Sequence, residues 1–235
     1  MNYKKNHYYV ERISSEKIAR KFNTPVYCYS YKKLKQNIIN FKKNFKSFNP
    51  LICFSVKSNT NVKLLNEIKK LGCGADVVSQ GELIKALRAG INPQKIVFSG
   101  VGKTTNEIIY AIDKRILLIN AESKSEILEI ERIAKFKKKN VSIGIRLNPN
   151  TDAKTLNQIS TGKKNNKFGV DEKTFIDLVR YVKKSKYIKL KCLSVHIGSQ
   201  ILNYQPYEKM LNIINKIIKK TSFKFEFIDL GGGMG

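Results

Sequence analysis

The sequence predicts an α/β fold on a parallel sheet that curls toward a barrel, and three observations carry that reading. Seven short apolar runs, at about residues 51–57, 74–78, 95–99, 116–120, 141–147, 189–196 and 226–230, are dominated by Ile, Val, Leu and Phe. Stretches with helical periodicity separate them. The first five runs recur roughly every 21 to 25 residues, the interval that consecutive strand–helix units produce.

The elements are justified in chain order. Tyr31, Leu34, Ile38, Phe41 and Phe45 fall on one helical face while Lys32, Lys35, Lys42, Lys43 and Lys46 fall on the other, which predicts a surface helix stopped by Asn49 and Pro50. Residues 51–56 are too short and too continuously apolar for an exposed element, so they read as a buried strand. Val62, Leu65 and Ile68, and later Ile127, Ile130, Ile133 and Ala134, mark the helices between strands. Residues 150–167 form a polar loop of about 18 residues, longer than a connection needs and therefore a candidate functional segment.

A doubly wound open sheet and a (β/α)8 TIM-type barrel both use such a pattern. Uniform repetition favours the barrel. Val56 is followed by Lys57, Ser58, Asn59 and Thr60 rather than by the GxGxxG of a dinucleotide-binding turn, so the open sheet stands second. With about seven strands the barrel is incomplete, one unit short of closure.

Composition bounds the function. The chain has 235 residues, 42% hydrophobic and 27% charged, which excludes a collagen, a disordered tail and a disulfide-stapled miniprotein. The formal charge is +27, and a basic nucleic-acid-binding protein is the competing class. Against it, the sequence holds seven arginines and 38 lysines, dispersed in pairs along the whole chain, so no specific nucleic-acid partner is expected. Cys28, Cys53, Cys73 and Cys192 include no CxxC pair and predict free thiols in a reducing cytoplasm. No signal peptide or membrane span is expected, because no apolar run reaches the roughly 18 residues a span needs.

The chemistry is expected where the strands end. Those points carry Lys57, Asp76, Ser79, Ser99, Asn120, Arg146, Asn148, His196, Ser199 and the run Gly231, Gly232, Gly233. Strands commonly end in polar turns, but agreement across seven strands argues for one convergent site. Lys57 follows an apolar run, so partial desolvation would free its amine for a Schiff base. Three consecutive glycines let backbone N–H groups approach a phosphate, although an ordinary glycine turn has the same signature. Lysine and glycine run together point to pyridoxal phosphate. No metal site is expected.

These residues carry a resemblance. Residues 54–59 (FSVKSN) resemble the lysine motif of the diaminopimelate decarboxylases, barrel-type pyridoxal-phosphate enzymes, and further matches occur in the family's order. They are residues 74–83 (GADVVSQGEL), 99–103 (SGVGK), 146–150 (RLNPN), 160–162 (STG), 167–170 (KFGV), 196–201 (HIGSQI) and 229–235 (DLGGGMG).

The resemblance implies that Lys57 holds the cofactor covalently and that His196 stacks on its ring. Ser199, Gly231, Gly232 and Gly233 would bind the phosphate, with Arg146 near the ring hydroxyl and Asp76 and Glu82 lining the site. It implies decarboxylation of meso-2,6-diaminopimelate to L-lysine, a small-molecule amino-acid substrate and a homodimer. Another basic amino acid as substrate is the alternative. Family members are longer, so residues 31–235 would be a partial barrel and the C-terminal β domain would be missing. Residues 1–30 would contribute a strand, 25–29, to that absent domain. A truncated chain, unstable or aggregation-prone by itself and at most weakly able to hold the cofactor, is the accompanying expectation.

Overall fold

The computed structural model describes residues 2–4, 6–151 and 168–235. The chain begins with a small antiparallel sheet, β1 (Asn2–Lys4), β2 (His7–Val10) and β3 (Ile13–Ser14), that leads into α1 (Ser15–Phe22). Asn6 and Glu11 turn the two hairpins at φ near +60°. Glu11 also ties this sheet to the start of the second helix, α2 (Tyr31–Asn44): its Oε1 accepts from the Ser30 hydroxyl and the Lys32 N–H, both at 2.8 Å. Ser30 in turn caps α2 by accepting the Lys33 N–H.

The segment expected to pair with a further domain has no partner among the described residues. Residues 25–29 form no strand; they run without a ladder partner among the described residues, and Tyr27 is 89% exposed. An extended segment becomes a strand only by pairing, and no described strand lies alongside it. The strands of this region lie earlier, in residues 2–14, where short tyrosine-rich runs alternate with turn residues.

From β4 (Cys53–Ser55) the chain alternates as expected: α3 (Val62–Lys70), β5 (Gly74–Val77), α4 (Gln80–Arg88), β6 (Ile96–Phe98), α5 (Thr105–Asp113), β7 (Leu118–Ala121), α6 (Lys124–Phe136), β8 (Val141–Arg146), α7 (Glu172–Val182), β9 (Ile188–Ser194), α8 (Gln205–Thr221) and β10 (Phe227–Asp229). The seven strands β4 to β10 pair in chain order, all parallel, with β4 and β10 at the two edges. Side-chain caps start most of the helices, with Asn61, Ser79, Ser123 and Asp171 each accepting a first-turn N–H and Thr104 forming a capping box with Glu107.

Period two along each strand separates two faces. Outward, Phe98, Ile119, Ile143, Ile145 and Leu193 join helix residues such as Ile108, Ile130, Phe175 and Met210 in the main core. Inward lies a second, smaller cluster of Val97, Leu118 and Cys192, packed by Cys53 and Phe227. Two residues further along the same faces stand Ser99, Asn120, Ser194 and Asp229, and these are polar. Asn120 on β7 donates to Asp229 on β10 at 2.9 Å. In a flat sheet, strands three places apart lie about 14 Å from one another, so this bond requires the curl of a barrel wall.

Among the described residues no helix is long and apolar enough to cross a membrane, and all four cysteines are free.

The helix layer supplies a stability test. Ile130 of α6 is fully buried, so Ile130→Ala is expected to cost about 2–5 kcal/mol in urea denaturation. Leu128, on the same helix and 42% exposed, should change stability by less than about 1 kcal/mol on truncation to Ala.

Candidate functional site

The strand ends gather most of the expected residues. Lys57 sits in a short 3-10 turn, Val56–Ser58, immediately after β4, with Val56 buried and Lys57 exposed. This corrects the expected desolvation: β4 is an edge strand that stops at Ser55, and the turn carries the amine out of the apolar run. Asp76, on the next strand, accepts from the Ser99 hydroxyl at 2.6 Å. Burial pushes its carboxyl up to about 6; the Ser99 bond opposes this, Asp229 adds to it and Lys57 opposes it. Glu82 lies in the first turn of α4, where Oε2 accepts the Val78 N–H at 3.0 Å, so one of its oxygens already serves the strand–helix junction.

Arg146 ends β8 and is held by Glu122, which comes directly after β7. The guanidinium Nη1 donates to both Glu122 oxygens, at 3.0 and 3.1 Å, and its carbon lies 4.9 Å from the centre of the Phe168 ring. Both side chains are nearly removed from solvent. Glu122 also accepts the Gly100 N–H at 3.0 Å. Beside it, the side chain of Lys103 is fully buried. Its Nζ donates to the carbonyls of Gly100 and Asn120 and forms an ion pair with Glu126 at 2.6 Å. Glu126 in turn accepts the Glu122 N–H. The loops after β6 and β7 are thus held by two linked, buried ion pairs, where each charge is compensated by its partner.

His196 lies just past β9 and is partly buried. Its imidazole is pushed down to about 4, first by burial and then by the positive charges of Arg146 and Lys57. The ring is therefore neutral at neutral pH. Its Nδ1 accepts the Gly232 N–H at 3.3 Å, which places the ring proton on Nε2 in that arrangement.

The glycine run does more than leave room for an anion. Gly231 has φ +69°, and a Cβ there would stand 2.6 Å from the Val195 carbonyl and 2.7 Å from His196 Nδ1. Gly233 has φ +91°, and a Cβ would fall 1.8 Å from the Gly198 carbonyl, close to Ser199. These two glycines let the loop after β10 lie directly on the loop after β9. Gly232 differs: nothing lies within 4 Å of its missing Cβ. The residues present therefore offer an open cradle at Gly232 beside Ser199, an exposed primary amine at Lys57 and a neutral ring at His196, a set that fits a phosphorylated aldehyde cofactor.

The motif residues Ser160, Thr161, Gly162 and Lys167, and the rest of the loop from 152, lie outside the described residues. Several site residues escaped the sequence reading. Glu122, Ser194 and Asp229 were given no role, yet each lies two positions along a strand from a residue already singled out: Asn120, His196 and Gly231. That interval is the signal by which they could have been found. His7, the other histidine, is exposed and pairs with Glu16 of α1 at 2.8 Å.

Residues 31–235 match the family model described as pyridoxal-dependent decarboxylase, pyridoxal binding domain. Diaminopimelate decarboxylase of Helicobacter pylori is 44% identical over 223 residues, 94% of this chain and 55% of the relative. That of Aquifex aeolicus is 38% identical over all of this chain and 56% of its own length. The crystal structure of the H. pylori enzyme complexed with L-lysine superposes with a TM-score of 0.88 at 42% identity, covering 94% of this chain and 57% of that one. The chain spans about half the length of the relatives it matches.

Two titrations in the site oppose each other. His196 is held near 4 against 6.5 in the unfolded chain, so its contribution falls as pH drops from about 6.5 to 4. Asp76 is held near 6 against 3.8, so its contribution falls as pH rises from about 4 to 6. Urea denaturation across pH should therefore show Asp76→Asn matching the parent near pH 4 and exceeding it above pH 6, by on the order of 3 kcal/mol for a shift of this size. For His196→Gln, the excess over the parent should appear at the acid end and vanish above pH 6.5. Parallel pH profiles for parent and variants would contradict both assignments.

Proposed function

The chain belongs to the pyridoxal-dependent decarboxylases, matching their pyridoxal-binding domain, and from that premise we propose that its gene product converts meso-2,6-diaminopimelate to L-lysine and carbon dioxide. The observation that carries the proposal is the gathering of Lys57 and Arg146 near enough to His196 to help hold its imidazole down, beside the open turn at Gly232.

The proposed division of labour rests on the properties of each group. Lys57 supplies an accessible primary amine to hold pyridoxal phosphate, and Asp76, titrating near 6 beside it, balances its charge. His196, neutral at working pH, can lie against a pyridinium ring without the repulsion an imidazolium would bring. Arg146, fixed in orientation by Glu122, would lie toward the ring hydroxyl, and Ser199 with Gly231, Gly232 and Gly233 would receive the phosphate. Glu82 keeps α4 in register at the rim while lining the site. The cofactor, when bound, acts as the electron sink for the pair left as the α-carboxylate departs.

The remaining parts of the proposal rest on different supports. A homodimer is supported by the family resemblance alone. Indifference to nucleic acid is supported by the dispersal of the lysines, and a cytoplasmic location by four free cysteines. The division at residue 30 is supported by the exposed, unpaired backbone of residues 25–29, which a further β domain of the gene product could extend.

The full gene product, incubated with pyridoxal phosphate and meso-diaminopimelate, is expected to release lysine and carbon dioxide in equal amounts. Lys57→Ala should abolish turnover and the visible absorbance of bound cofactor together. Turnover of ornithine or arginine without diaminopimelate would overturn the substrate and leave the cofactor assignment standing.

A further inference from the structure

The glycine loop is fastened from inside the barrel. Asp229, the last residue of β10, accepts the Gly231 N–H on Oδ1 at 2.8 Å. Its other oxygen accepts Asn120 Nδ2 at 2.9 Å and the Ser194 hydroxyl at 3.0 Å. A carboxylate held at both ends cannot rotate, so the Gly231 N–H is fixed with it, and the backbone is committed to its left-handed turn.

Asn120 is itself constrained. It is 1% exposed, and its Oδ1 has no hydrogen-bond partner among the described residues. That oxygen occupies the space a Cβ of Gly144 would take, 2.0 Å away. Turning the amide over would set its oxygen against the Asp229 carboxylate, so the observed orientation leaves an acceptor unsatisfied in order to direct the donor at Asp229. Leaving a buried polar atom unpaired is costly, and such an exception calls for a function.

We propose that Asp229 is the positioning residue of the glycine loop, fixed by Asn120 and Ser194, and that this triad sets the loop's preference for a phosphate monoester. The inference rests on the reading of the loop as the receiver of the cofactor's phosphate. It also explains how a carboxylate is tolerated two residues from an anion: three donors occupy its oxygens, and it lies one layer below the loop. Ser99, which bonds Asp76, stands within 3.5 Å of Asn120 Nδ2, so the same layer continues to the strand beside Lys57.

The discriminating measurement compares two ligands, pyridoxal phosphate and pyridoxal, titrated by visible absorbance into the full gene product. Pyridoxal keeps the aldehyde and ring but lacks the phosphate. The parent is expected to prefer pyridoxal phosphate strongly. Asp229→Ala should weaken pyridoxal phosphate by about tenfold or more, the loss expected for a charge-assisted hydrogen bond, and leave pyridoxal within about twofold. Asn120→Ala should move in the same direction. Asp229→Asn, which keeps an acceptor oxygen for Gly231, should recover part of the preference. If a thermal melt shows that Asp229→Ala does not fold, Asp229→Asn and Ser194→Ala carry the test, each expected to lose roughly threefold on pyridoxal phosphate alone. Equal weakening of both ligands, or an unchanged preference, would overturn the positioning role. A parent with no preference between the ligands would overturn the reading of the loop itself, and the two failures are thereby distinguished.

Discussion

A flat sheet would hold the strands of Asn120 and Asp229 about 14 Å apart, yet the two side chains meet at 2.9 Å. That contact curls the sheet around a lumen, and the lumen orders everything above it. Its floor is apolar, made of Val97, Leu118 and Cys192 with Cys53 and Phe227. Its middle layer is Asp76, Ser99, Asn120, Ser194 and Asp229, joined by hydrogen bonds from β5 to β10. Its rim carries Lys57, Glu122, Arg146, His196 and the glycine loop. Each layer supports the next: the floor excludes water beneath the acids, and the acids hold the backbone that presents the rim.

The charges keep the same vertical order. The chain as a whole is strongly basic, but the lumen is not. Burial raises the Cys53 thiol, in the floor, to about 12 and the Asp76 carboxyl, above it, to about 6, in each case with Asp229 adding to the effect. At the rim the order reverses: two cations beside His196 help keep its imidazole neutral. A neutral ring above an acidic layer, flanked by an amine and a guanidinium, is an arrangement suited to an anionic, electron-withdrawing ligand. Buried pairing of Arg146 with Glu122 and of Lys103 with Glu126 keeps the strand-end loops from rearranging around those charges.

The seven strands of the barrel wall were legible because each is an apolar run framed by turn residues and amphipathic helices, a pattern local sequence carries by itself. Lys57, Arg146, His196 and the glycines were legible as strand-end residues and as parts of longer motifs. Of the middle layer, Asp76, Ser99 and Asn120 were legible in the same way, but Ser194 and Asp229 were not, because recognising them requires knowing which alternate positions face inward and that β7 and β10 converge across the lumen. The sheet of residues 2–14 was missed for a different reason. Its strands are only two to four residues long and owe their order to hairpin turns and to Glu11, which reaches Ser30 and Lys32, and neither leaves an apolar run to detect. The exposure of Lys57 was misjudged because a strand at the edge of a sheet can shed its last residue into solvent, whatever precedes it.

Lys103 gives the loop between β6 and α5 a property of a kinetic kind. It is one of 38 lysines, and its ammonium is enclosed by two carbonyls and a carboxylate with no surface left to solvent. An amine-directed reagent can reach it only while that loop is open. The rate at which Lys103 is modified, set against the rate at exposed lysines, thus clocks the opening of the wall beside the site.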